Sequence, residues 1–122
     1  MRHYSILMVV DELIASILME TLRIDRRSVI IATHFEQVEK LLPLHQFSLV
    51  VTTLYVDGIN TNDYLGILND ALPDTPIVVL SEVEASSVES EIKMQGIEEF
   101  IHIPIPLDLM KTKLDPYVQF RV

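Results

Sequence analysis

The chain alternates short apolar runs with longer stretches in which apolar residues recur every three or four positions. Five runs rich in β-branched residues stand out: Tyr4 to Val10, Ser28 to Ala32, Leu49 to Thr53, Ile77 to Leu80 and Glu99 to Ile103. They are continuous rather than alternating in polarity, so they read as strands buried on both faces. Strands separated by helical segments pack as right-handed βαβ crossovers, which predicts an α/β domain with a parallel sheet and helices on both sides.

The segments between the strands carry helix punctuation. Thr33 followed by Glu36 predicts a capping box, with Val38, Leu41 and Leu42 facing inward and Pro43 stopping the helix. Thr61 or Asn62 is expected to cap the next helix, where Leu65, Leu68 and Leu72 hold the core spacing before Pro73. Gly96 closes the helix before the last strand. The final helix, from Leu107, is expected to turn Leu107, Met110 and Leu114 inward; Pro116 leaves its end open, because proline disfavours helix at Asp115. No repeat or linker interrupts the pattern, and residues 1–122 read as one domain.

Composition narrows the function classes. At 49% hydrophobic the chain can fill one core, yet no apolar run approaches the ~18 residues of a membrane span. Met1-Arg2-His3-Tyr4 leads straight into a strand rather than a secretory segment, so a cytoplasmic protein without membrane association is expected. There is no cysteine, which excludes disulfides, thiolate nucleophiles and zinc–thiolate sites. A net charge of -9 argues against nucleic acid as a partner, since phosphate recognition needs clustered Lys and Arg.

In an open parallel sheet the chemistry gathers outside the carboxyl ends of the strands. Those ends carry Val10-Asp11, Thr53, Ser81 and Ile103-Pro104, a set nearly empty of reactive groups. Asp11 reads as a helix cap, with a residual metal ligand as the alternative. Thr53 reads as a structural hydroxyl, with Asp11 as a candidate partner. Ser81 before Glu82 reads as a helix-entry cap, and Asp57 beside Gly58 as a turn residue. His3, His34, His45 and His102 are scattered and read as surface or loop residues, with no metal site among them. Glu82, Glu84, Glu89 and Glu91 against Lys93 make one helix strongly acidic, the mark of a solvated face.

Several stretches, in order and over essentially the whole chain, resemble the receiver domains of two-component response regulators. Ile6-Leu7-Met8-Val9-Val10-Asp11-Glu12 resembles the first strand and its acidic turn, and Phe47-Ser48-Leu49-Val50-Val51-Thr52-Thr53 the third strand, which in receivers ends in the phosphoacceptor Asp. Leu54 through Asn60 resembles the loop that follows, and Pro76-Ile77-Val78-Val79-Leu80-Ser81 the fourth strand with its switch hydroxyl. Gly96 through Pro104 is similar to the fifth strand, with Phe100 as switch aromatic and Ile103-Pro104 in place of a Lys-Pro pair. The resemblance implies a flavodoxin-like, doubly wound sheet of five parallel strands in the order 2-1-3-4-5, and a cis peptide before Pro104.

The resemblance also implies what is missing. Receivers accept a phosphoryl group on the Asp, with Mg²⁺ held by acidic side chains, a Lys on the phosphoryl oxygens and the switch hydroxyl following them. Thr53 stands at the phosphoacceptor position, Val10 at the first metal-acid position and Ile103 at the Lys position. Asp11 remains as an acidic pocket with Glu12 turned aside, too little for Mg²⁺. Reading the first strand one residue further on would make Asp11 and Glu12 the acidic pair, but would misplace Leu18 and Leu22 from the inward face of the first helix. The expectation is a degenerate receiver, not an enzyme, needing no metal or cofactor, that acts in a phosphorelay by binding a signalling protein such as a histidine kinase, an output domain or a regulator. Self-association as a homodimer is a further mode the resemblance implies. Two alternatives stay open: phosphorylation at a substitute carboxylate, Asp57 or Asp11, and a small flavodoxin-like ligand-binding protein or enzyme. The last is disfavoured because Gly58, Gly66 and Gly96 are the only glycines and none builds a phosphate loop.

Overall fold

The central strand is hydrogen-bonded on both sides, and the rest of the sheet grows outward from it. A computed structural model describes residues 4–56, 58–82 and 86–118. The strands are β1 (Tyr4–Val9), β2 (Val29–Ala32), β3 (Gln46–Thr53), the short β4 (Tyr55–Val56) and β5 (Ile59–Asn60), β6 (Ile77–Ser81) and β7 (Glu99–His102). The helices are α1 (Glu12–Leu22), α2 (Phe35–Leu41), α3 (Leu65–Ala71), α4 (Ser86–Lys93) and α5 (Leu107–Val118). Five strands form one parallel sheet in the order β2-β1-β3-β6-β7, which is the expected 2-1-3-4-5 once the β4–β5 hairpin is set aside.

Burial on both faces explains the unbroken apolar runs. Along β1, Ile6 and Met8 face a core shared with Leu18 and Leu22 of α1 and with Met110 and Leu114 of α5. Leu7 and Val9 face a second core with Val38 of α2, Leu65 and Leu68 of α3 and Ile92 of α4. A two-residue side-chain period with apolar layers above and below favours an apolar residue at every position. Near the start of β3 the register slips between Ser5 and Ile6, so that Phe47 and Leu49 oppose neighbouring residues of β1 and Ser48 is bulged out.

Helix termini depart from the sequence reading in informative ways. The expected Thr33–Glu36 capping box is not formed: His34 is the N-cap residue of α2, and the Thr33 N–H donates to Gln37 Oε1 at 2.8 Å. Starting the helix at Phe35 places Gln37, not Glu36, over the entering turn. The cap residue of α3 is neither Thr61 nor Asn62 but Tyr64, which makes no side-chain cap bond; Asn60 caps the preceding 3₁₀ turn over Thr61–Asp63, its Oδ1 accepting the Asn62 N–H at 2.9 Å. Leu107 is not in the core; it is 55% exposed, and Ile103 and Ile105 of the preceding turn pack against the core instead. Pro116 falls inside α5, which continues to Val118. The β4–β5 hairpin, turning at Gly58 with φ 78°, has two-residue strands, too short to register as a periodic pattern.

α1 ends at Arg23, whose backbone is left-handed at φ 54° while its N–H returns to the carbonyls of Met19 and Glu20. A non-glycine residue there costs about 1–2 kcal/mol, of which glycine would give back part through the greater entropy of its unfolded chain. Arg23→Gly is therefore expected to stabilise the protein by about 0.5 kcal/mol, read as a higher urea midpoint at unchanged slope. A lower midpoint would show that the Arg23 side chain contributes more to the fold than its backbone costs.

Candidate functional site

The carboxyl ends of β1, β3, β6 and β7 converge on a cleft of about 220 Å³ whose lining includes Asp11, Ile14, Thr53, Leu80, Glu82 and Ile103. Parallel strands in register bring these positions together: Val9 pairs with Thr52, Thr53 with Leu80 and Ser81 with His102. A second cleft of about 360 Å³, on the β2 side, shares Asp11, Thr53 and Tyr55 and adds Val10 and His34. Tyr55 and Thr53 are thus a wall between two clefts.

Each candidate side chain has a definite engagement. Asp11 Oδ1 accepts the Ile14 N–H at 2.8 Å and so caps α1. Glu12 is exposed in the first helical turn and lines neither cleft, while Val10 is buried at 1% exposure. Thr53 does not bond Asp11. Its Oγ1 donates to the Tyr55 carbonyl at 2.8 Å, because the chain turns into the hairpin directly after β3. Ser81 is buried, and its carbonyl accepts the Ile103 N–H at 2.8 Å. The Ile103–Pro104 peptide is cis. Asp57, Glu84 and His3 lie outside the described residues.

Phe100 is buried, and the edge of its ring meets the ring of His102 with centroids 5.3 Å apart. His102 corrects the sequence reading: it lies on β7, and its Nε2 is 2.7 Å from Glu89 Oε1 on α4. Glu89 also binds Lys93 at 2.7 Å, and these two contacts, Lys93 foremost, hold its carboxyl below the ordinary range. The acidic helix is therefore tied to the sheet edge by one of its own carboxylates.

A buried hydroxyl cluster escaped the sequence reading. Tyr64 OH lies 3.1 Å from Thr52 Oγ1 and 3.0 Å from Thr61 Oγ1, and its ring stacks on Phe35 at 4.2 Å. Thr52 also reaches the Val9 carbonyl at 3.1 Å, and Thr61 donates to the Thr53 carbonyl. The cluster ties the ends of β1 and β3 to the entry of α3. Its trace in the sequence is three hydroxyls in apolar surroundings, a pattern that shows composition but not who meets whom.

The arrangement offers little for catalysis or for a cation. Receivers hold Mg²⁺ through several carboxylates, and magnesium keeps near-octahedral oxygen ligation. Among the described residues no three His, Asp or Glu side chains converge as metal ligands, and Asp11 is engaged as a cap. The described residues do not fit that ion. Nor is any helix among them long and apolar enough to cross a membrane.

No family model matches the sequence, and the curated proteins contain no match. Solved structures do match. The signal receiver domain of an HD domain-containing protein from Pseudomonas fluorescens superposes with a TM-score of 0.80 at 16% identity, over 99% of this chain and 98% of that one. A response regulator from Thermotoga maritima gives 0.78 at 18% identity, over 95% and 98%. An orphan response regulator of H. pylori gives 0.77 at 14% identity, over 97% and 99%. The fold is the flavodoxin-like, CheY-like fold of response-regulator receiver domains; at these identities the likeness is one of fold.

Burial raises the Tyr64 phenol above its ordinary value, with the Thr52 and Thr61 hydrogen bonds opposing the shift only in part. A raised folded-state pKa gives stability that is complete below the unfolded value of about 10 and is lost as pH rises through the folded value. Tyr64→Phe is expected to cost about 1 kcal/mol at neutral pH, and the gap to the parent should close above about pH 10, where only the parent must ionise a buried phenol. Urea midpoints of both proteins from neutral to alkaline pH test this. A gap that widens with pH would contradict the burial argument.

Proposed function

We propose that this domain is a receiver-type signalling module that works through protein–protein contact and does not take up a phosphoryl group at the end of β3. One observation carries the reading: Thr53, at the strand end that the resemblance assigns to the acceptor, donates its hydroxyl to the Tyr55 carbonyl. A hydroxyl without a neighbouring base is a poor nucleophile at neutral pH, and Thr53 is hydrogen-bonded to neither of the two carboxylates that line the cleft, Asp11 and Glu82. Ile103 lines this cleft and the buried Val10 the neighbouring one, apolar side chains at the positions that the resemblance assigns to a Lys and a metal acid. Partners in this reading are a kinase, an output domain or another regulator, met by the helical faces rather than by the cleft, in a cytoplasmic phosphorelay.

Incubation with acetyl phosphate and Mg²⁺, followed by intact-mass spectrometry, should show no added phosphoryl group. A hydroxylamine-labile adduct would overturn the reading, and mapping it to Asp11 or Asp57 would establish the substitute carboxylate instead.

Reconstruction tests the assignment of positions. Thr53→Asp alone adds a carboxylate to a cleft that already holds Asp11 and Glu82, so it should destabilise the fold by about 1–3 kcal/mol and gain no Mg²⁺ affinity. Adding Val10→Asp and Ile103→Lys supplies the second metal acid and the compensating cation, and calorimetric titration should detect Mg²⁺ only in the triple variant. Equal binding by the single variant would show that Val10 and Ile103 are not the positions assigned to them.

A further inference from the structure

The cleft at the carboxyl ends of the strands is poor in reactive groups but consistent in polarity, because nearly every polar group it offers accepts hydrogen bonds. Asp11 commits Oδ1 to the Ile14 N–H, and its Oδ2 has no partner among the described residues. Glu82 lines the same cleft, is exposed, and engages no other described residue. Thr53 has given its proton to the Tyr55 carbonyl, so its hydroxyl presents only lone pairs. The backbone donors beside these groups are committed too. Leu54 N–H binds the Leu80 carbonyl at 2.9 Å and Ile103 N–H the Ser81 carbonyl at 2.8 Å, as Ile14 N–H binds Asp11. Among the lining side chains only the Tyr55 hydroxyl can still donate, and the rest of the lining is aliphatic: Ile14, Leu54, Leu80 and Ile103.

We propose that this cleft is a binding site for a small, free organic cation: an ammonium or guanidinium group on a short alkyl chain. Both groups carry only donors, so they match a lining of acceptors as no anion or neutral amide does. The lining that is too poor for a magnesium ion suits these ions for the same reason. A metal ion must exchange its water shell for a set of oxygens, whereas an alkylammonium needs two or three acceptors and brings carbon to set against Ile14, Leu80 and Ile103. Tyr55 adds an aromatic residue to the wall, and ammonium and guanidinium groups are drawn to aromatic faces. Volume sets the size. A cavity of about 150 Å³ holds a benzene molecule, so one of about 220 Å³ takes a chain of roughly four to six carbons. The net charge of -9 raises the concentration of any cation near the mouth. The missing glycine loop counts only against ligands that carry phosphate, which these do not. The inference goes beyond the contact-module reading and does not depend on it, since binding calls for neither a phosphoryl donor nor Mg²⁺.

Titration of the isotope-labelled whole chain with n-butylammonium chloride, at constant ionic strength and without Mg²⁺, should give saturable amide shifts at Asp11, Thr53, Leu80 and Ile103 in the NMR spectrum. A ligand of so few atoms should bind with a millimolar Kd. From ethylammonium to butylammonium, each added methylene should tighten binding by about two- to fourfold. n-Butanol and butyrate should bind at least tenfold more weakly than butylammonium. Asp11→Asn, which keeps a residue able to cap α1, and Glu82→Gln, at an exposed position, should each weaken binding at least fivefold with the urea midpoint unchanged. Ile103→Lys places the chain's own ammonium in the cleft and should abolish binding. Absence of saturation would overturn the proposal, as would butanol binding as tightly as butylammonium or an affinity indifferent to both carboxylates. Capped lysine binding tenfold more tightly than butylammonium would assign the site to a partner's side chain and overturn the free cation.

Discussion

Burial of β3 on both faces, together with pairing on both edges, is the constraint from which the rest of the molecule follows. Leu49, Val50, Val51 and Thr52 are all fully buried between two apolar layers. A polar group in such a strand must find its partner inside, and Thr52 does so at the Val9 carbonyl and the Tyr64 hydroxyl. Thr53 is the first residue after this buried run to reach open space. The chemistry of the crevice therefore hangs on one strand-end residue, its neighbours being set by parallel register.

The same constraint decided what was legible in the sequence. Four of the five major strands were readable to within a residue or two because double burial writes itself as an unbroken apolar run; β3 begins three residues earlier than that reading, at Gln46, where a bulge at Ser48 interrupts the run. Helix ends were harder. Gln37 and Glu36, or Asn60 and Thr61, are chemically interchangeable as caps until the first helical residue is known, and a shift of one position changes which side chain lies over the turn. Leu107 has the spacing of a core residue relative to Met110, but Ile103 and Ile105 pack against the core there. His102 and Tyr64 were opaque for a different reason: their partners Glu89, Thr52 and Thr61 are 13, 12 and 3 residues away, and the two long-range contacts exist only once α4 and β3 are in place. The set of residues around the cleft was legible from the strand ends, whereas the bond from Thr53 to Tyr55 was not, since the hairpin that creates it leaves no periodic trace.

Charge is distributed unevenly over this frame. Glu89 is drawn to His102 and Lys93, and among the described residues Glu82 and Glu91, the latter accepting from Asn62, are the exposed acids around α4. At physiological salt such exposed charges act over about 8 Å, so the α4 side and the α1–α5 side present electrostatically separate faces. One small sheet can hold both because its helices lie on opposite sides.

The loop after β3 has a consequence for motion. Its backbone is claimed at several points: Leu54 N–H by the Leu80 carbonyl at 2.9 Å, Thr61 N–H by the Leu54 carbonyl at 2.7 Å, and the hairpin by its own pairing. Leu54, Val56 and Thr61 are buried beneath it. Amides so bonded, those of Leu54 and Thr61, are expected to exchange their protons only when the sheet itself opens, as part of the same cooperative unit as the strands. Surface loops near a working site are ordinarily drawn from the least stable part of a fold. Here that reserve of mobility has been absorbed into the core, and whatever binds above the sheet meets a fixed relief to which it must adapt its own shape.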